Sequence, residues 1–194
     1  MIRVAKETDS AALVEIYGWY VENTAVSFEY EAPTPEEFAG RIREILLTHP
    51  FLVYEEAGEL LGYAYAHPLI RRKACDWAVE VSIYIRRDVR GKGVGRALYE
   101  ALEKALLLQN ICTLEACVAS ADVLDEYLTD DSVLFHKRLG YTQVGKMSDC
   151  GYKFGRWYHL LWLEKHIAPR KAGMLPLRPF PQVRAALAEQ WGIV

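Results

Sequence analysis

Residues 79–98 run Val-Glu-Val-Ser-Ile-Tyr-Ile and then Arg-Arg-Asp-Val-Arg-Gly-Lys-Gly-Val-Gly-Arg-Ala-Leu. An apolar strand therefore feeds a basic, glycine-rich turn, and the turn feeds a helix. Gly91, Gly93 and Gly95 remove the Cβ atoms that would keep a ligand off the backbone, so successive amides can converge on an anion where the helix begins. Arg90, Lys92 and Arg96 supply countercharge beside Val94. A dinucleotide fingerprint does not fit, because the first glycine comes too late and no acidic residue ends a second strand about 20 residues on. A Walker loop does not fit either, since no Gly-Lys-Ser/Thr follows. The remaining alternative is an ordinary strand-to-helix turn with a solvated charge run.

The surrounding pattern is consistent with one α/β domain. Met1 to Ala5 alternates as a strand, and Thr8 and Asp9 offer N-caps for a helix carrying Leu13, Ile16, Tyr17 and Tyr20. Thr34-Pro35-Glu36-Glu37 is a capping box with proline at the first helical position, and it predicts a second helix that Pro50 stops. Phe51–Glu56 and Leu60–His67 flank Ala57-Gly58-Glu59 as a hairpin, and Asp76–Ile85 adds a third strand. A helix over Val94–Gln109, a strand over Thr113–Val118, a helix over Asp130–Arg138 and strands over Tyr141–Lys146 and Arg156–Glu164 follow. Composition shifts after His166, so residues 1–167 are expected to form the domain. Residues 168–194 are expected to form an extended tail with a short helix over Gln182–Trp191, serving as a surface strap or dimer contact.

With 194 residues the chain suits one domain with a sizeable core. A net charge of −3 gives no general attraction to nucleic acid or to anionic membrane, which makes the basic turn a local site for a small ligand. Cys75, Cys112, Cys117 and Cys150 form no C-x-x-C pair and have no histidines at zinc-like spacing, so no metal site is expected. The first residues do not resemble a signal peptide, and no apolar run approaches transmembrane length. Cytoplasmic free thiols are the expectation.

Arg90-Gly91-Lys92-Gly93-Val94-Gly95 resembles the R/Q-x-x-G-x-G/A pyrophosphate loop of the GNAT superfamily of acyl-CoA N-acyltransferases. Further stretches resemble its phosphinothricin and methionine-sulfoximine acetyltransferase branch: Tyr63-Ala64-Tyr65-Ala66, Asp76-Trp77-Ala78-Val79-Glu80 with Tyr84, Phe135-His136-Lys137-Arg138-Leu139-Gly140-Tyr141, and Gly151-Tyr152-Lys153-Phe154-Gly155-Arg156-Trp157. The likeness runs in order over about residues 1–165.

The resemblance implies the GNAT fold, a mixed and mostly antiparallel sheet splayed between strands four and five, with a bulge in strand four. Acetyl-CoA is the implied cosubstrate. Its pantetheine arm would lie against Val81, Ile83, Tyr84 and Ile85, with the amide near Val81 polarising the thioester carbonyl. Its phosphates would lie on residues 90–96, and Thr129 and Ser132 would complete the site. The branch asparagine is replaced here by Thr129, and the preceding segment, Ser120–Leu128, is longer than usual.

An ammonium must lose a proton before it can attack a thioester. Glu80 matches the branch's proposed base; apart from the resemblance, a lone glutamate in a strand faces solvent. His136 stands where most superfamily members carry a tyrosine able to protonate the departing thiolate; on an amphipathic helix, a histidine is otherwise a packed residue. Arg72 aligns with a branch arginine that could grip a carboxylate, and Phe28, Tyr30 and Trp77 would wall the acceptor pocket. Cys75 replaces a branch aromatic. Cys75, Cys117 and Ser82 lack the base partners of a covalent scheme, so direct transfer in a ternary complex is expected. A protein N-terminus or polyamine acceptor, or a non-catalytic acyl-CoA sensor, stays open, and a homodimer is implied by likeness alone.

Overall fold

The computed structural model describes residues 1–194. Its elements are β1 (Ile2–Val4), α1 (Ser10–Asn23), α2 (Pro35–Leu46), β2 (Phe51–Glu56), β3 (Glu59–Pro68), β4 (Ala78–Ile85), α3 (Val94–Leu108), β5 (Thr113–Ser120), α4 (Asp131–Arg138), β6 (Thr142–Lys153), β7 (Arg156–His166) and α5 (Phe180–Trp191). The seven strands make one sheet in the order β1-β2-β3-β4-β5-β7-β6. Only the β4 to β5 pairing is parallel. This is the expected mixed α/β layout.

Local chemistry accounts for the helix boundaries. Thr34 Oγ1 accepts from the Glu37 amide and the Glu37 carboxylate accepts from the Thr34 amide, so both halves of the capping box of α2 are made. In α3, Val94, Leu98, Ala101, Leu102 and Ala105 recur on one face and are buried. That face lies on the same side of the sheet as α5, in a cluster with Ala64, Ala66, Val79, Val81, Leu114 and Ala116. On the opposite side α1 and α2 bury Leu13, Tyr17, Phe38 and Ile42 against Phe51, Val53 and Tyr63. The two faces follow from strand alternation, with odd residues of β4 turned to α3 and even ones turned away.

Two expectations change. β6 is twice as long as the alternation suggested, because register shifts between Gln143 and Gly145 and between Met147 and Gly151 break the pattern. A tight turn joins it to β7, with Phe154 and Gly155 both at positive φ (52° and 75°). The expected bulge in β4 is absent: its ladder with β3 runs in unbroken register from Gly62↔Ile85 to Pro68↔Val79. The splay expected between strands four and five is present without it. β4 and β5 pair only at Ala78↔Thr113, Val79↔Leu114 and Glu80↔Glu115, while β5 stays paired with β7 as far as Ser120.

The loop between α1 and α2 is fixed from below by Lys153. Its ammonium, on a side chain of a residue only 3 % exposed, donates to the carbonyls of Val21, Thr24 and Ser27. Three donors meet three carbonyls, those of Val21 in the last turn of α1, of its C-cap Thr24 and of Ser27 in the loop beyond. The 168–194 segment joins the main core through Phe180, Val183 and Leu187, and Val4 N–H donates to the Val194 carbonyl at 2.8 Å. No helix is long and apolar enough to cross a membrane.

Candidate active site

Glu80 is the last β4 residue paired with β5, so it stands where the two strands part. Beyond it, the Arg86 amide donates to the Leu61 carbonyl at 2.8 Å. Antiparallel alternation then turns the peptide groups of Ser82 and Tyr84 toward β3 and those of Val81, Ile83 and Ile85 toward the missing neighbour. A slot results, enclosing a cavity of about 50 Å³ between Ser82 and Tyr84 on one wall and Cys117 on the other, with Tyr99, Ser132 and His136 behind. One expected contact is already taken: the Ile85 carbonyl accepts from the Tyr20 hydroxyl at 2.6 Å.

The glycine turn lies at the end of this slot. Gly91 and Gly93 adopt φ of 76° and 85°, in the left-handed region, and an added Cβ at either would meet nothing within 4 Å. Gly93 caps α3 without a side-chain hydrogen bond, leaving the first-turn amides open to a ligand. Gly95 has a different reason: a Cβ there would meet the Phe135 ring at 3.1 Å, so this glycine seats α3 against α4. The Arg90 guanidinium lies 5.3 Å from the Tyr20 ring centroid and 3.7 Å from Asp131, while Lys92 and Arg96 are exposed. Open amides, left-handed glycines, cationic side chains and a slot edged by unpaired peptide groups suit a phosphate-bearing, amide-rich ligand.

Glu80 is buried enough that desolvation pushes its carboxyl up, against the opposing pull of His67. The His67 Nε2 lies 3.8 Å from Glu80 Oε2 across the ladder. A base with raised pKa at a strand fork is suited to taking a proton from an ammonium. Burial first, and the Glu80 charge second, push the Cys117 thiol up to about 12, so it stays protonated and is a poor nucleophile.

His136 is buried. Its Nδ1 lies 2.7 Å from the Ser132 carbonyl, which can only accept, so Nδ1 carries the proton and Nε2 accepts from the Tyr99 hydroxyl at 2.9 Å. Burial lowers its pKa, and the ring is neutral. Thr129 is exposed, and its Oγ1 accepts from the Asp131 amide at 3.5 Å.

The expected acceptor residues are spread over three places. Phe28 packs on Gly151 and Tyr158, and the Tyr30 hydroxyl donates to the Tyr152 carbonyl. Trp77 lies elsewhere, its indole N–H donating to the Leu175 carbonyl at 2.8 Å. Arg72 rims a cleft of about 630 Å³ between α2 and β3, which is also lined by Arg41, Tyr17, Tyr65 and His67. His67 connects this cleft to Glu80, a juxtaposition the sequence reading did not find. No group of three or more His, Cys, Asp or Glu side chains is arranged to hold a metal ion.

The family described as "Acetyltransferase (GNAT) domain" matches residues 2–162. Phosphinothricin N-acetyltransferase of Streptomyces viridochromogenes is 33% identical over 183 residues, covering 94% of this chain and 95% of the relative. An L-methionine sulfoximine/L-methionine sulfone acetyltransferase of Salmonella typhimurium is 34% identical over 173 residues, covering 87% and 97%. Among solved structures, a phosphinothricin acetyltransferase of Sinorhizobium meliloti in complex with AcCoA superposes with a TM-score of 0.80 at 28% identity, covering 93% of this chain and 97% of that one.

Proposed function

The chain belongs to the GNAT acetyltransferases, and from that premise we propose that it moves the acetyl group of acetyl-CoA onto the primary amine of a small amino-acid-like acceptor, with Glu80 as base. Acetyl-CoA is the cosubstrate. The observation that carries the assignment of Glu80 is its place at the fork of β4 and β5, where the next residue, Val81, lines the slot and its ladder partner His67, 3.8 Å away, lines the cleft.

The pyrophosphate would sit on the amides that open α3, beside Arg90, Lys92 and Arg96, and the pantetheine amides would pair with the peptide groups of Val81 and Ile83. The acceptor would enter by the cleft, where Arg72 faces a carboxylate. An acceptor of phosphinothricin or methionine sulfoximine type, as named for the relatives, offers that carboxylate beside its amine.

Glu80 takes one proton from the ammonium. The amine nitrogen then bonds the thioester carbon, its oxygen developing charge toward the Val81 amide. Collapse breaks the carbon–sulfur bond, and the second proton lost by the nitrogen is delivered to the departing thiolate beside the slot, where His136, its Nε2 2.9 Å from the Tyr99 hydroxyl, is the nearby candidate for handling it. No acetyl-enzyme is formed, in keeping with the protonated state of Cys117.

The test is Glu80→Gln, which keeps size and polarity but cannot take the proton. Turnover should fall on the order of a hundredfold or more, with acetyl-CoA affinity by calorimetry unchanged and partial recovery as pH approaches the amine's own pKa. Near-parental turnover would remove Glu80 from the chemistry. A panel of amino acids, polyamines and peptide N-termini in a thiol-release assay identifies the acceptor class.

A further inference from the structure

Glu80 is not alone at the fork. Strand registers place His67, Glu80, Glu115 and Glu164 in one transverse row: His67↔Glu80 across β3 and β4, Glu80↔Glu115 across β4 and β5, and Glu115↔Glu164 across β5 and β7. The row lies on the face opposite α3, because Val79, Leu114 and Leu163, each one residue earlier, fill the α3 core. Glu115 is the deepest member. It is 7% exposed, and its Oε2 is a buried oxygen with no hydrogen-bond partner. A buried carboxylate oxygen left unpaired costs stability that a purely structural position would avoid by carrying valine or leucine.

We propose that Glu115 is a positioning residue for the reaction: it sets the charge beside Glu80, and its ionisation strengthens Glu80 as a base. The inference rests on the reading of Glu80 as base. Parallel partners in adjacent strands are about 4.8 Å apart along the hydrogen-bonding direction, close enough for two carboxyl groups to titrate as a pair. The groups facing this pair are His67 and Tyr65 from β3, Cys117 from β5 itself, and Glu164 from β7, with His166 Nε2 3.0 Å from Glu164 Oε1. Burial first, then the carboxyl of Glu164 and the charge of Glu80, push Glu115 up to about 7. Below that pH Glu115 is neutral and Glu80 is a base of moderate strength. Above it the second negative charge makes the proton on Glu80 more tightly held, and the transfer from the ammonium more favourable. No atom is gained or lost at Glu115 beyond its own proton, which exchanges with solvent.

The experiment is a pH–rate profile for Glu115→Gln against the parent, with acetyl-CoA saturating. The variant resembles the neutral state of Glu115, so it should match the parent within about twofold near pH 6 and fall roughly three- to tenfold behind it near pH 8. Glu115→Leu fills the buried site without a polar atom and should lose the same step, which keeps the test decisive if the glutamine variant folds poorly. Glu115→Asp retains a carboxylate and should restore part of the rise. A variant-to-parent ratio that is constant across pH for both neutral variants overturns the proposal. If Glu80→Gln is inactive while these ratios are flat, only Glu115 is misassigned; if Glu80→Gln is fully active, the underlying reading of the base has failed.

Discussion

His67 Nε2 and Glu80 Oε2 lie 3.8 Å apart, directly opposite each other on β3 and β4, and the imidazole is the one neighbour that opposes the upward pull of burial on the Glu80 carboxyl. Replacing His67 by Asn removes that favourable charge. Glu80 should then stay protonated to higher pH, and the acidic limb of kcat/KM should move upward. The loss of activity near pH 6 should exceed that near pH 8 severalfold, opposite in sense to the change expected for Glu115→Gln. Superimposable profiles would show that His67 does not influence Glu80.

Lys92 is exposed at the turn that opens α3, between two glycines in the left-handed region. Lys92→Glu should weaken acetyl-CoA binding by roughly tenfold through repulsion of the pyrophosphate, with little change in melting temperature. The deficit should shrink as salt is raised, because exposed charges are screened. Calorimetric titration at low and high ionic strength reads both effects. Gly95 is the wrong position for this test, since any side chain there would press on Phe135.

Arg72 is exposed on the rim of the cleft, next to Arg71, whose guanidinium is paired with Glu44 at 3.1 Å. Arg72→Ala should raise the KM for amino acids at least severalfold and spare that for the corresponding decarboxylated amines. The measurement is the ratio of kcat/KM for each acid and amine pair. An unchanged ratio would place carboxylate recognition elsewhere.

Lys153 ties together three carbonyls at the end of α1. Lys153→Met keeps the apolar stem but leaves those acceptors unpaired in a buried site, so stability should drop by about 3 kcal/mol in urea titration. Proteolysis should then cut first within the loop that carries Phe28 and Tyr30. A parental midpoint would mean that water replaces the ammonium at no cost.

The elements that carry their own signals were legible in the sequence. The capping box at Thr34, the left-handed glycines of the turn and the amphipathic face of α3 are each set by residues within one or two turns of chain. Glu80 stood out as a charge inside an apolar run. Its neighbours did not, because His67 and Glu115 become neighbours only through the registers of two ladders, one of them parallel and joined through α3. Glu115 bears the same local mark as Glu80, a carboxylate in an otherwise apolar strand. The absence of a bulge in β4 was equally hidden: the open edge arises from where β5 turns away, which no residue of β4 encodes.

Three rungs are all that stitch the β1-to-β4 half of the sheet to the β5-to-β7 half. A molecule whose own amides lie along the open edge supplies the missing stitches, so loading the slot and stiffening the seam are one event. Amide protons of Val81, Ile83 and Cys117 should therefore slow their exchange together when acetyl-CoA binds, while those of β1 and β2 keep their rates.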